Sequence, residues 1–257
     1  MKKQTVAFAM ITALLLTACG GDDKDKDRLP SDPDRDTHRR DDRDYDARRS
    51  YHGDSYVVAN SRNRTDSRDL QTLNSNNLDT LNVDGKRLPS RQIGIVTSGV
   101  PHIKARNGTT VNGVSYKNFL VSGHGYRNSR FGYITHGGTD YVFSQGAFTE
   151  NMPTSGSARY DGEAVVGRDG TAEVANADFN VNFGNRTVSG RISADRDSDI
   201  RFDPVYIDAR IRGNQFYSDG TVSSSGHFYG NNARELGGVF HDSRQQLRGS
   251  FGAKRDD

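Results

Sequence analysis

The chain has 257 residues, a hydrophobic fraction of only 32%, 28 glycines and no tryptophan. This length allows one large β domain or two small ones, and the low apolar content predicts that part of the chain stays outside any packed core. The formal net charge of +2 equals that of the two lysines at positions 2 and 3, so the remainder is neutral and has no long-range field to attract nucleic acid. The composition therefore predicts no nucleic-acid partner.

The N-terminus has the features of an export signal. A basic start precedes an apolar run over residues 6–16, which is too short to span a bilayer and has the length of a signal-peptide core. Leu16-Thr17-Ala18-Cys19 follows and resembles the lipobox of bacterial lipoproteins, in which the cysteine is acylated and becomes the new N-terminus. We therefore predict that residues 1–18 are a signal peptide and that Cys19 carries the lipid, palmitate included.

Two further observations support this interpretation. Cys19 is the only cysteine of the chain, so the sequence predicts no intrachain disulfide. Gly20 follows it, whereas in similar lipoproteins an aspartate at this position favours retention in the inner membrane. The sequence therefore favours the bacterial outer membrane as the location.

A charged segment separates the lipid from the folded part. Residues 20–53 are dominated by Asp, Arg and Lys and contain almost nothing apolar, so they cannot offset their own ordering entropy. We predict a lipidated, disordered tether over residues 19–53. Its Asp-Lys alternation resembles a calcium loop, but Arg28 and Asp34 occupy the positions that require glycine and glutamate. We therefore predict no metal site.

The first folded section is predicted over residues 54–153. Asp84-Gly85 tolerates positive φ and predicts a tight hairpin, and Asn112-Gly113 and Gly137-Gly138 predict two more. The last of these joins short aromatic strands around Tyr133 and Tyr141. An alternative for the stretch before the first hairpin is a short helix, since leucines occur at positions 70, 73, 78 and 81.

Apolar and polar residues alternate more regularly over residues 154–257 than in the first section. Phe179, Val181 and Phe183 share one face of a strand, while the intervening positions are polar. The same period of two recurs over residues 188–192 and 207–211, which indicates antiparallel strands with one wet face. About eight such strands with no helix between them predict a closed barrel filled by side chains.

Several blocks of the second half resemble a known family. They are Met152-Pro153-Thr154-Ser155-Gly156, Tyr160-Asp161-Gly162-Glu163-Ala164-Val165, Gly237-Gly238-Val239-Phe240 and Gly249-Ser250-Phe251-Gly252-Ala253-Lys254-Arg255. The chain resembles the transferrin-binding protein B-like surface lipoproteins, which include factor H-binding protein and the haem carrier hemophilin. The glycines of these blocks, such as Gly237 and Gly252, are interpreted as relieving crowding between strands.

The resemblance implies an all-β fold: after the disordered tether, an N-terminal handle-like β domain followed by an eight-stranded antiparallel β-barrel. It also implies export to the cell surface through an outer-membrane translocator, and binding of a host protein such as a serum or complement factor. The length suits one handle-barrel lobe. No nucleophile elbow, zinc-protease motif or P-loop is present, so we expect a binding protein rather than an enzyme.

Two ligand classes give different candidate residues. For a protein ligand, we expect contacts at exposed aromatics of the handle half, namely Tyr126, Tyr133 and Tyr141, and at barrel loops such as residues 195–203. The alternative ligand is haem, which His124 and His136 would ligate beside nearby aromatic rings. The sequence predicts no other cofactor.

Overall fold

The computed structural model describes residues 50–59, 69–91, 97–101 and 108–256. The predicted signal peptide, Cys19 and residues 20–49 of the predicted tether lie outside these ranges. Within them the chain is all β, and no helix there is long and apolar enough to cross a membrane. A turn of 3-10 helix occupies Asn231–Ala233. The strands are β1 Tyr51–Val58, β2 Leu70–Ser75, β3 Thr80–Val83, β4 Lys86–Pro89, β5 Thr109–Val111, β6 Val114–Tyr116, β7 Asn118–Val121, β8 Ser129–His136, β9 Thr139–Gly146, β10 Ser157–Arg168, β11 Thr171–Asn182, β12 Thr187–Ala194, β13 Val205–Arg212, β14 Gln215–Ser218, β15 Val222–Tyr229, β16 Glu235–Asp242 and β17 Leu247–Arg255.

Strands β10 to β17 form a closed antiparallel barrel, as the sequence predicts. Alternation is strict in β13, where every second residue is buried and the others are exposed. Because side chains of a strand point alternately to its two faces, the buried set fills the barrel. Its interior includes five completely buried phenylalanines: Phe179, Phe216, Phe228, Phe240 and Phe251.

Strands β1, β2, β7, β8 and β9 form the handle, a five-stranded sheet in the order β2-β1-β9-β8-β7. One face packs against the outside of the barrel and the other is covered by the hairpins β3-β4 and β5-β6. Strands β1, β8 and β9 are therefore buried on both faces, whereas the edge strand β2 exposes one face. All three predicted hairpin turns are confirmed; for example, Asp84 and Gly85 have φ of 50° and 69°.

Two expectations for the handle half need correction. The helix alternative near the leucines is wrong, because Leu70 and Leu73 lie in β2, which pairs with β1, and Leu81 lies in β3. The tether boundary at residue 53 is also too late, because β1 begins at Tyr51. Gly53 lies inside this strand, where a Cβ would come within 1.9 Å of the Ser144 carbonyl oxygen. Its lack of a side chain therefore reflects close strand pairing rather than a flexible linker.

Glycines on the outside of the barrel make room for the handle, in agreement with the sequence-based interpretation. A Cβ at Gly252 would lie 2.4 Å from the ring of Phe131, and one at Gly237 would lie 2.7 Å from the Ser144 hydroxyl oxygen. Phe131 is completely buried in the apolar cluster between sheet and barrel. The aromatic rings of the handle thus pack directly onto the barrel backbone.

We predict that Gly252→Ala lowers the free energy of unfolding by about 1–3 kcal/mol, because the added methyl group overpacks the contact with Phe131. Gly184→Ala is the matched control, since its nearest neighbour would be 3.5 Å away. Urea denaturation of both variants measures the difference. Equal stability of the two variants would show that this close approach does not constrain the fold.

Candidate binding site at the handle–barrel junction

A buried carboxylate of the handle binds two barrel side chains. Ser225 Oγ donates a 2.6 Å hydrogen bond to Asp54 Oδ2, and His227 Nε2 lies 3.0 Å from the same oxygen. All three residues are buried. The serine donates to the carboxylate rather than to the imidazole, so the three residues lack the serine-to-base contact that a hydrolase triad requires. Their contacts instead join β1 to β15.

Glu235, at the start of β16, holds a loop of the handle from the barrel side. Its carboxylate accepts hydrogen bonds from Arg127 N at 2.9 Å, Asn128 N at 3.1 Å and Ser129 Oγ at 2.7 Å. Asn128 Nδ2 adds a fourth donor at 3.1 Å. Because Glu235 is only 2% exposed, these donors replace the water that the carboxylate lost on burial.

Three loops meet at this end of the molecule, and we call residues 123–128, 147–151 and 230–234 the junction loops. Ala147 N donates to Asn128 O, and Gly230 N donates to Ala147 O, both at 2.9 Å. The backbone bonds therefore connect a handle loop to a barrel loop through the linking segment. The exposed side chains of the junction loops are His124, Arg127, Glu150, Asn151, Asn231, Asn232 and Arg234. This polar rim on a fixed backbone is a candidate binding surface.

The three tyrosines expected on the surface are buried, so that expectation is wrong. Tyr126 OH donates to the carbonyl oxygen of Gly252, and its ring packs edge-to-face on Phe131 with centroids 4.9 Å apart. Tyr133 OH donates to Asp140 at 2.8 Å, and Tyr141 OH accepts from Lys86 Nζ at 2.7 Å. Both faces of β8 and β9 are covered, so Tyr133 and Tyr141 enter the apolar clusters on opposite sides of the sheet, and Tyr126 packs from its loop into the cluster between sheet and barrel.

Burial also changes the acidity of two of these phenols. Removal from water raises the pKa of Tyr126 and of Tyr133 well above the usual tyrosine range, because the phenolate loses its hydration. Nearby carboxylates, Glu163 for Tyr126 and Asp140 for Tyr133, raise the pKa further. Both side chains are therefore neutral hydrogen-bond donors in the folded protein.

The two candidate haem ligands are not brought together. His124 is exposed in a junction loop, and its backbone N donates to Thr97 O. His136 ends β8, with its ring 5.1 Å from that of Tyr116 and its Nδ1 3.3 Å from Ser115 O. The eight residues of β8 span about 23 Å at the usual rise of a strand, and they separate the His124 loop from His136. The pair does not form one ligand set.

The predicted barrel loop at residues 195–203 lies at the opposite end of the barrel from the junction loops. Glu173 accepts hydrogen bonds from Asp199 N at 2.8 Å and Ile200 N at 3.1 Å, which fix the loop backbone. In the ranges that the structure describes, no group of three His, Cys, Asp or Glu side chains is placed to hold a metal ion. The loop is ordered and acidic and does not share a surface with His124.

A family model described as the C-lobe and N-lobe beta barrels of Tf-binding protein B matches residues 152–255, which enclose strands β10 to β17. Transferrin-binding protein B of Moraxella catarrhalis is 32% identical over 174 residues, covering 52% of this chain and 24% of that protein. The barrel half of this chain is therefore similar to the barrels of transferrin-binding protein B. An uncharacterised protein of Haemophilus influenzae is 25% identical over 224 residues, covering 79% of this chain and 75% of its own length.

Several solved structures share this fold. Isotype 1 transferrin binding protein B of Neisseria meningitidis superposes with a TM-score of 0.54 at 22% identity, over 80% of this chain and 43% of that one. The haemoglobin receptor of Kingella denitrificans gives 0.52 at 15% identity, over 81% and 86%. This chain thus spans about a quarter of the Moraxella protein and less than half of the Neisseria structure.

We predict that Glu235→Ala lowers the free energy of unfolding by about 3 kcal/mol, because several partly buried donors lose their acceptor at once. Glu150→Ala, which changes an exposed carboxylate of the junction loops, should change stability by less than about 0.5 kcal/mol.

Limited proteolysis gives a local measure of the same effect. Trypsin should cleave after Arg127 faster in Glu235→Ala than in Glu150→Ala or the wild type, since the loop loses its fixed contacts. Equal cleavage rates in all three proteins would show that Glu235 does not hold the loop.

Proposed function

We propose that this protein is a lipoprotein of the bacterial outer membrane, anchored by Cys19, that displays its handle-barrel lobe on the cell exterior and binds a host protein. The observation that carries this proposal is the match of residues 152–255 to transferrin-binding protein B barrels. The names of two relatives, a transferrin-binding protein B and a haemoglobin receptor, make host iron-carrier proteins and haemoglobin the first candidate ligands. Other serum or complement factors belong to the same proposal.

The geometry supports binding at the junction loops in preference to catalysis. Asp54 and Glu235 fix the two halves against each other, so the loops are held ready for a partner and lose little entropy on binding. The candidate surface therefore combines the handle loop at residues 123–128 with the barrel loop at residues 230–234. Delivery of this lobe to the cell surface would require the outer-membrane translocator that the family resemblance implies.

Haem is a second candidate ligand, and one observation supports it. His124 is exposed in a junction loop, where an imidazole could reach the iron of a haem lying on the surface. His136 has no place in this version of the proposal, because it lies at the other end of β8. Haem would then have a single histidine ligand.

The anchor is tested first. We predict that Cys19→Ala leaves an unprocessed precursor and abolishes globomycin sensitivity, because the thiol is the nucleophile for lipid attachment. Gly20→Asp is the comparison variant, and it should remain lipidated but shift toward the inner membrane. Normal maturation of Cys19→Ala, followed by partition into membranes, would refute the anchor.

The ligand is tested with the chain from residue 50 onward, immobilised and exposed to purified host transferrin, haemoglobin and whole serum. We predict saturable binding of one serum protein, which the Arg127→Ala variant should bind less tightly because it lacks an exposed side chain of the handle loop. Titration of the same protein with haemin tests the second candidate ligand. A Soret shift that is lost in His124→Ala and retained in His136→Ala would favour haem. Absence of saturable binding in every arm would contradict the proposed function.

A further inference from the structure

The handle covers only one side of the barrel. Outward-facing residues of β10, β16 and β17, among them Val165, Val239 and Gly252, are buried against the handle sheet. On the opposite side, β13 alternates strictly between buried and exposed positions, and β12 does so from Val188 to Ile192. Among the residues that the structure describes, none of the handle covers the outer surface of β12 to β14, which we call the free side of the barrel.

This free side is rich in tyrosine and arginine. Tyr206 is 60% exposed, the largest exposed fraction among the large hydrophobic side chains that the structure describes. It lies directly across from Arg191, while Arg210 lies across from Tyr217. We define the Tyr/Arg face by six residues of β12 to β14 and the preceding turn: Arg186, Arg191, Tyr206, Arg210, Arg212 and Tyr217.

The positive charge of the Tyr/Arg face is available to a partner. The four arginines are exposed, and within the described ranges none makes an ion pair. Two carboxylates lie near these arginines. Asp208 is on β13, and Asp178 of β11 lies directly across from Arg191. Arg212 lies over the ring of Tyr217, 4.7 Å from its centroid, which orders both side chains. Positive charge thus predominates on this surface.

The Tyr/Arg face is continuous with the junction loops. The turn between β13 and β14 reaches them through Asn214, whose Nδ2 donates to Thr149 O at 3.2 Å. Arg186 joins the same edge, because its carbonyl oxygen accepts from Ile211 N at 3.0 Å. The edge of the face at Arg186 and Arg212 therefore adjoins the junction loops, and Tyr206 lies six residues along β13, about 20 Å from Arg212 at the usual rise of a strand.

We propose that the Tyr/Arg face is the second half of the docking surface and that it receives a carboxylate-rich patch of a folded host protein. This inference rests on the proposed function and adds to it the chemistry of the partner. Tyrosine and arginine are the residue types that most often dominate interface energies, and exposed arginines complement carboxylates in charge and geometry. The positive charge of the Tyr/Arg face attracts the acidic partner and contributes specificity, while the junction loops fix the orientation of the bound partner.

The test compares two triple variants of the chain from residue 50 onward. Arg191, Arg210 and Arg212 are changed to Glu in the face variant. Arg87, Lys117 and Arg244, which are exposed on the handle side and on the turn between β16 and β17, are changed to Glu in the control variant, which alters net charge equally. The probes are host transferrin and haemoglobin, and binding is measured at several salt concentrations. We expect the face variant to associate at least about tenfold more slowly and to lose most of its salt dependence. The control variant should match the wild type.

Tyr206 provides a charge-neutral test of the same face. Tyr206→Ala should weaken binding about tenfold or more, whereas Tyr206→Phe, which keeps the ring, should lose less. Heparin is included as a polyanion of a different class. Loss of heparin binding in the face variant together with unchanged protein binding would overturn the inference and assign the face to a sulfated glycan.

The outcomes separate this inference from the proposal beneath it. Binding of transferrin or haemoglobin with equal affinity and rate by the wild type and the face variant would overturn the inference and leave the proposed function intact. Absence of saturable binding of transferrin, haemoglobin and every protein of whole serum by the wild type would overturn both. Circular dichroism of each variant confirms that the barrel is folded before the comparison is made.

Discussion

The packing of the handle sheet onto the outside of the barrel is the contact on which the other features of this lobe depend. A closed barrel normally needs apolar residues only inside, but here the outward positions of β10, β16 and β17 are buried as well. Glycines at Gly237 and Gly252 let the handle approach the barrel backbone, and aromatic rings such as Phe131 fill the space. Because this contact occupies one side of the barrel, it also determines which side stays open to a partner.

Buried carboxylates give the packing its register. Asp54 and Glu235 each bind two or more donors from the other half of the lobe, and the half-buried Glu163 accepts from Val100 N at 2.7 Å. Burying a carboxylate is costly unless hydrogen bonds replace its water, so each carboxylate favours the one arrangement in which its donors converge. The apolar contact between the handle sheet and the barrel, which we call the seam, supplies nonspecific attraction. The carboxylates select the relative position of the two halves.

The strands could be predicted from the sequence where one face of a strand is exposed to solvent. In β11 and β13, alternation of apolar and polar residues predicted antiparallel strands and hence the barrel, because solvent and core select different residues at successive positions. Prediction failed for the handle, where both faces of β8 and β9 are buried and Tyr133 and Tyr141 enter two different cores. The same pattern of aromatic residues fits either an exposed binding strand or a fully buried one.

The buried polar contacts between handle and barrel could not be predicted from sequence patterns either. Asp54 and His227 are 173 positions apart, and nothing in the local sequence of either residue indicates its partner. A weak signal did exist, since Asp54 is a single carboxylate in a strand otherwise composed of apolar and small polar residues apart from His52. The Tyr/Arg face likewise became recognisable only when the sheet order placed Arg191 across from Tyr206 and showed that the handle lies elsewhere.

The central claim is that handle and barrel form one cooperative unit joined through this buried seam. Native-state hydrogen exchange of the chain from residue 50 onward, followed by mass spectrometry, tests it most directly. If the seam joins the two halves, amides of β8 and β9 and amides of β16 and β17 should exchange with the same free energy of opening and respond equally to low urea. A handle that exchanges by a separate, lower-energy opening while the barrel stays protected would contradict the claim.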